Sequence, residues 1–280
     1  MGVTKTQLRK TGESIKIFEN LRGSGVKGLS NQISLQLAYA HIKNYTEEDY
    51  VSAEEELDRA MKHATDSHDM DLQLQVMAVQ VFLYSVLAGR AENKDRRPIY
   101  ADTALQIGKY ILNNTDADAE SAQALRFEAL NGLGITWMRL GESGPAESRA
   151  DSWAQAQGYY DRALMIIPNS VRVSQNMTQL RLLQVKLSSV EEKPVLLAQA
   201  KQYCELSLQV SDQDQFPYLL LSRIAIQSGD AKAARQYIRT GRSRPGGVKE
   251  RDWNEVEVAV RAAESGKSNP HQSSEKGLAR

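Results

Sequence analysis

The sequence predicts an all-α protein, and three observations lead to that fold class. Apolar residues recur at spacings of three and four along almost every periodic segment, which is the spacing of one face of a helix. Extended alternation of apolar and polar residues, typical of half-buried strands, is nearly absent. The seven proline residues fall between the periodic segments and not inside them, where each would break a helix.

The periodic segments follow one another as an N-terminal helix, five pairs of helices and a final helix. The N-terminal helix is predicted over about 5–21 and ends at a Gly-Ser-Gly turn. The pairs are 29–43 with 50–64, 71–87 with 99–112, a pair that starts near 119, 171–187 with 195–210, and 217–228 with 231–241. The final helix, over 251–264, is amphipathic and would cap the exposed end of a stack of pairs.

Several boundaries carry their own signals. Thr46 and Asp49 form a capping pair at the start of 50–64. Asp116 and Asp118 precede the third pair, where carboxylates cap a helix and favour its positive end. The turn within the fifth pair, at 229–230, is of the tight kind that joins short antiparallel helices.

The domain organisation follows from these segments. We expect an N-terminal helix and flexible turn over 1–28 and helical repeats over 29–242. A linker, flexible between 241 and 247, leads to the capping helix, and the two together fill 243–265. The last segment, 266–280, has no core-forming residues and is predicted to be disordered.

The most informative stretch is 130–168. It has Leu130, Leu133, Gly134 and Trp137 at spacings of three, one and three, followed by Ala156, Tyr160, Ala163 and Pro168. Two short helices that pack closely need this alternation of small and large residues. The stretch resembles the tetratricopeptide repeat (TPR), whose pattern of about 34 residues runs W-x2-L-G-x2-Y, A-x3-F and P.

The same small-residue position returns at a fixed interval. Gly134, Thr178 and Ser222 are 44 residues apart each time, and so are Ala156 and Ala200 in the second helix. Since the uninterrupted repeat is shorter, we expect about ten extra residues in the third and fourth repeats, in loops at 142–152 and 188–194. Weaker copies of the position occur at Ala38 and Ala78.

The resemblance implies a right-handed α-solenoid of about five TPR-like hairpins with a flanking helix at each end. In that family, the first helix of each repeat lines a concave groove that holds peptides. Carried over to this sequence, the partner-binding positions are Tyr39, Lys43, Gln75, Phe82, Asn131, Arg139, Arg172, Gln175, Gln179 and Arg223. Amides suit a peptide main chain and arginines suit a carboxylate, so the expected ligand is an acidic segment or a free C-terminus.

Composition limits the other classes of function. Lysine plus arginine equals aspartate plus glutamate, 35 each, and DNA-binding proteins usually have a basic excess, so we expect no DNA ligand. A single cysteine, Cys204, is consistent with a cytoplasmic location. No apolar segment reaches the length of about 18 residues that a membrane-spanning helix needs, so no membrane span is expected. Gly2 follows Met1 in the loose N-myristoylation pattern.

Six short features are better explained as structure than as chemistry. The glycines at 23, 25 and 28 match G-x-G-x-x-G but lack a βαβ setting, and 266–268 ends like a P-loop without its first glycine. His63 and His68, with three aspartates nearby, have the wrong spacing for zinc. Cys204 and His41 occupy core positions, and the acidic run 54–56 is expected to be a solvated helix face. No cofactor, metal or catalytic group is predicted.

The sequence therefore predicts a non-catalytic interaction module, such as a scaffold, adaptor or assembly factor, that binds a peptide or protein segment in a groove. A regulatory sensor for a small signalling peptide is the alternative. An RNA-binding helical repeat protein, using Arg239, Arg242, Arg244, Lys249 and Arg251, is a weaker one. Neither the oligomeric state nor occupation of the groove by the chain's own tail follows from the sequence.

Overall fold

The computed structural model describes residues 11–23, 30–44, 46–90, 94–245 and 248–265. Within these ranges the secondary structure is helical, without a strand, and the helices pack in adjacent pairs, which confirms the all-α class. Gly2, the predicted turn at 24–28 and the predicted disordered tail 266–280 lie outside the described residues.

Twelve helices form in the described ranges. They are α1 (Thr11–Gly23), α2 (Ser30–Asn44), α3 (Glu47–Asp66), α4 (Met70–Ala88), α5 (Arg97–Asn113), α6 (Glu120–Ser143), α7 (Ala146–Ile166), α8 (Val171–Val185), α9 (Lys193–Val210), α10 (Gln215–Gln227), α11 (Ala231–Arg242) and α12 (Glu250–Glu264). The predicted cap forms, because the Thr46 hydroxyl accepts a hydrogen bond from the Asp49 backbone N–H at 3.2 Å. The chain folds as two compact units, Met1–Pro168 and Asn169–Arg280.

The first unit contains the pairs α2–α3, α4–α5 and α6–α7, and α1 packs on α2. The first helices of these pairs are also neighbours, since α4 contacts both α2 and α6. Apolar side chains of α2, α3 and α4 form one core cluster, which includes Ile42, Leu57 and Leu83. The first helices of successive pairs therefore share one layer within this unit.

The second unit contains the pairs α8–α9 and α10–α11, with α12 packed on both helices of the last pair. Trp253 of α12 is buried against Gly241 of α11, where a Cβ atom would overlap the indole ring. The segment before α12 is fixed by Gln215, whose Nε2 donates to the Arg244 carbonyl at 2.8 Å. Its Oε1 accepts from the Val248 backbone N–H at 3.2 Å. The final helix thus completes the core of this unit.

The recurring small positions lie where paired helices approach most closely. A Cβ atom at Gly134 would overlap the Tyr160 ring of α7, and Tyr160 is fully buried. One interval later, the Thr178 hydroxyl of α8 donates to the Ala200 carbonyl of α9 at 3.3 Å. The 44-residue interval therefore places a small residue at the contact between paired helices in two different pairs.

The loop predicted at 142–152 is wrong. Helix α6 continues to Ser143 and α7 starts at Ala146, so the extra residues lengthen the helices. The longer helices give Trp153 a place to pack, because it lies against Gly141 and donates from Nε1 to the Met138 carbonyl at 3.3 Å. In the fourth pair, by contrast, the described connection at 186–192 is not helical, as expected for 188–194 up to the start of α9.

The flexible linker predicted from residue 241 begins too early, because Gly241 is a buried residue of α11. The boundary at Pro168 falls within the predicted repeat region 29–242, whose own limits stay a prediction.

Helix α4 is more apolar than expected from the sequence analysis, which found no segment long enough to span a membrane. It has 19 residues, and an 18-residue stretch of it has a mean hydropathy of 1.4, so by length and composition it could cross a membrane. Half of that stretch is buried inside the protein, where α4 contacts α2, α3, α5 and α6. A central core helix has these same properties.

Candidate functional site

Three predicted groove residues come together on α2 and α4. The ring centroids of Tyr39 and Phe82 are 6.0 Å apart, and the Lys43 ammonium lies 6.0 Å from the centre of the Tyr39 ring. All three side chains are half-buried. Two consecutive pairs therefore contribute to one aromatic cluster with an adjacent cation, which we call the α2–α4 aromatic cluster.

The remaining groove residues of the first unit lie on α4 and α6, with different exposures. Gln75 is half-buried, whereas Asn131 is only 2% exposed. Arg139 packs over Gly89 at the end of α4 and bonds Glu142 at 2.7 Å. The burial of Asn131 argues against partner contact there, because a side chain enclosed by its own fold cannot reach a ligand.

The second unit holds four predicted groove residues. Gln175 is buried, and its Nε2 donates to Asp214 at 3.1 Å and to the Ser207 hydroxyl at 3.4 Å. Since Asp214 caps α10, Gln175 has a structural role, and its assignment to partner binding stays a prediction. The other three are more accessible: Arg172 is exposed, Gln179 is half-buried and Arg223 lies 3.7 Å from Glu255.

A second site, which the sequence did not indicate, lies between α3 and α4. It is a depression of about 220 Å³. Its lining residues are Glu54, Leu57 and Asp58 of α3 and Gln80, Leu83 and Tyr84 of α4. Leu57 and Leu83 are fully buried, so the accessible lining is mainly polar. We call this site the acidic pocket.

The acidic pocket has an aromatic rim. Tyr84 stacks on Tyr100 of α5, with ring centroids 6.0 Å apart and an interplanar angle of 16°. The guanidinium of Arg96, the residue before α5, lies 5.5 Å from the centre of the Tyr100 ring. The pocket is thus bordered by two carboxylates of α3 and by the Tyr84 ring of α4, which stacks on a second ring outside the lining.

The electrostatics of the acidic pocket disfavour negative charge. Burial, together with the nearby Asp58 carboxylate, raises the pKa of Glu54, and the Arg96 charge opposes that rise. Burial also raises the pKa of Tyr84, with further contributions from Glu54, Asp58 and Tyr100. Among the described residues neither carboxylate has a hydrogen-bond or ion-pair partner within 4 Å, so the charge of the pair is not neutralised by direct contact.

The interpretation of 54–56 as a solvated face is wrong for two of the three residues. Glu55 is exposed, but Glu54 lines the acidic pocket, and Glu56 is 4% exposed and bonds Arg22 at 2.7 Å and Arg59 at 3.0 Å. Three consecutive helical residues span about 200° of the helix circumference, so they cannot share one face. The sequence signal for the pocket was the i,i+4 spacing of Glu54 and Asp58.

The other single residues considered from the sequence have structural environments. Cys204 is buried, its thiol donates to the Pro217 carbonyl at 3.1 Å, and burial raises the pKa of the thiol to about 12. His41 Nδ1 lies 2.8 Å from an Asp49 carboxylate oxygen. Asp69 caps α4 by accepting from the Leu72 backbone N–H at 3.0 Å. Within the described ranges, no three His, Cys, Asp or Glu residues are placed to hold a metal.

The basic residues near the last linker lie beside carboxylates. Arg242 is 2.7 Å from Glu250 and 3.3 Å from Glu257, and Arg244 is 3.6 Å from Asp212. Such pairing lowers the local positive charge that an RNA backbone would need.

Comparison with known proteins adds no family to this geometry: no protein-family model matches the chain, and no curated protein matches it.

Proposed function

We propose that the protein is a non-catalytic interaction module whose first unit binds a peptide segment across α2 and α4. The observation that carries this proposal is the α2–α4 aromatic cluster of Tyr39, Phe82 and Lys43. Two rings and a cation on adjacent helices suit a segment with an apolar side chain next to a carboxylate. The apolar group would pack on the rings, and the carboxylate would pair with the ammonium.

The packing order of the helices supports a repeat architecture. In each unit, the first helix of one pair contacts the first helix of the next, as α2 does α4 and α8 does α10. TPR-like repeats stack in this order, and we propose that the pairs in each unit form part of a right-handed TPR-like solenoid. The aromatic cluster then lies on the layer from which that family binds peptides.

Selection from a displayed library of random peptides tests the proposal, with the full-length protein as bait. We expect enrichment of peptides in which an apolar residue adjoins Asp, Glu or the C-terminal carboxylate. Lys43→Glu should weaken binding of an enriched peptide about tenfold or more, because it replaces attraction by repulsion at the cluster. Phe82→Ala should weaken it as well, since the apolar contact is lost.

Lys109→Glu is the matched control. Lys109 is exposed on α5, so the same charge reversal should leave the affinity for the enriched peptide almost unchanged. Equal losses for Lys43→Glu and Lys109→Glu would mean that overall charge, and not the cluster, governs binding. Failure to enrich any peptide would contradict the proposed function itself.

A further inference from the structure

The acidic pocket has the features of a binding site for one organic cation. Glu54 and Asp58 are four residues apart on α3, so their Cβ atoms are about 5–6 Å apart and the two carboxylates border one opening. Like charges at this spacing repel each other, and Glu54, unlike the exposed Asp58, is also half-buried. A positive group placed between them would relieve the repulsion.

The rest of the pocket selects the kind of cation. The Tyr84 ring suits a planar or compact cation, which can stack on its face. Hard metal ions need about six oxygen ligands, more than two carboxylates and the Gln80 amide supply without water. A volume of about 220 Å³ is below the roughly 300 Å³ at which sites for drug-sized molecules begin, so it suits a single side chain.

We propose that the acidic pocket binds the side chain of an arginine in a partner protein. A guanidinium can donate to both carboxylates through its fork of N–H groups while its face stacks on the Tyr84 ring, and an ammonium lacks this plane. Arg96 already lies over the Tyr100 ring, so one guanidinium is held beside the ring on which Tyr84 stacks.

This site is separate from the α2–α4 aromatic cluster. Tyr84 and Phe82 are two positions apart on α4, which turns their side chains about 200° from each other around the helix. The proposal therefore does not depend on the proposed peptide groove, and either can fail without the other.

The test uses the full-length protein with 13C-labelled tyrosine rings and two peptides, acetyl-Gly-Gly-Arg-Gly-Gly-amide and its citrulline analogue. Citrulline keeps the shape of arginine but has no charge. We expect the arginine peptide to shift the Tyr84 and Tyr100 ring resonances in two-dimensional NMR spectra until the site is saturated. The Tyr84 resonance is assigned by its loss in Tyr84→Phe. The citrulline peptide should produce no saturable shift.

The double variant Glu54→Gln/Asp58→Asn should weaken arginine binding about tenfold or more, since both charge-assisted contacts are lost. The matched control, Glu48→Gln/Glu55→Gln, removes two exposed carboxylates of the same helix and should bind as the unmodified protein does. A lysine peptide should bind more weakly than the arginine peptide.

Three results would overturn the proposal. One is an absence of saturable shifts at Tyr84 with the arginine peptide, and another is an equal response to the arginine and citrulline peptides. The third is an equal loss of binding in the two double variants, which would indicate attraction to the overall charge of α3. The first two results come from the unmodified protein, so they do not depend on how the variants fold.

Discussion

Individual side chains of α3 show how one turn of helix changes the environment of a carboxylate. Glu55 is exposed, whereas Glu56 is buried and paired with two arginines. Glu54 is half-buried beside Asp58, with an opposing charge only from the more distant Arg96. A charge that is disfavoured in the folded protein lowers its stability, so Glu54 is a candidate for function and not for structure.

Neutralising this pair should therefore stabilise the protein at neutral pH. For Glu54→Gln/Asp58→Asn we expect a gain of about 0.2–0.5 kcal/mol in the free energy of unfolding, the usual effect of an i,i+4 repulsion. The control Glu48→Gln/Glu55→Gln should give no gain, because Glu48 lies near the positive end of α3 and Glu55 is 3.8 Å from Arg59. Urea unfolding followed by circular dichroism measures both.

The gain in the free energy of unfolding should become smaller as the pH is lowered. The pKa of Glu54 is raised in the folded protein, so the folded state holds this proton more tightly than the unfolded state. Above the pKa that Glu54 has in the folded protein, its ionised carboxylate lowers the free energy of unfolding. This destabilisation disappears as the pH falls from that pKa to the ordinary pKa range of glutamate. Asp58, Arg96 and Tyr84 are the charged or titratable groups that interact with Glu54. A gain that grew on acidification would contradict this account.

At the scale of elements, the helices are positioned by a few large side chains opposite small ones. Tyr160 lies on Gly134, Trp153 on Gly141, and Trp253 on Gly241, which the sequence assigned to a flexible linker. Each pair lets two helix backbones approach closely, so the glycine and its aromatic partner act together. Helix α12 depends on such a contact for its position.

Trp253→Ala should destabilise the second unit strongly. Trp253 is 1% exposed within the core of that unit, and removing a buried tryptophan side chain typically costs about 3–5 kcal/mol. Val258→Ala on the same helix is the control, because Val258 is 49% exposed and its truncation should change stability by about 0.5 kcal/mol or less. Chemical unfolding followed by circular dichroism would show similar midpoints for the two variants if α12 were not part of the core.

At the scale of the whole molecule, the charges of the chain are balanced. Basic and acidic residues are equal in number, 35 each, and several arginines outside the acidic pocket already lie beside carboxylates. With no net charge to drive long-range attraction, a partner has to be selected by local sites. This favours the two proposed sites on the first unit over a general attraction to nucleic acid.

Balanced charge also predicts how the full-length protein behaves in solution. Its sequence pI is about 6.9, and a net charge near zero promotes association, so solubility should be lowest near neutral pH. Precipitation by polyethylene glycol, monitored by light scattering across the pH range, measures this. Lys62→Glu/Lys109→Glu changes two exposed lysines and should move the minimum to lower pH. A minimum that stayed in place would mean that apolar patches control association.

The sequence was sufficient for the helices and for the positions at which they touch. Periodicity located the helices because each one must turn a continuous apolar stripe toward the core, and the interval from Gly134 to Thr178 located a small residue at the helix contact in two pairs. It failed at 142–152, where a composition typical of a loop is helical apart from Gly144 and Pro145, and Trp153 packs on Gly141. Tertiary contacts outweigh local preference at such places.

The candidate sites also divide into residues that the sequence placed together and features that only the tertiary structure revealed. The resemblance to a repeat placed Tyr39, Lys43 and Phe82 on neighbouring helices, because equivalent positions of stacked pairs adjoin. The burial of Asn131 and Gln175, and the acidic pocket formed by α3 and α4 beneath the Tyr100 ring, were decided only by the tertiary structure. A one-dimensional pattern specifies which face of a helix is apolar, but the exposure of a polar side chain depends on what the neighbouring helices bring against it.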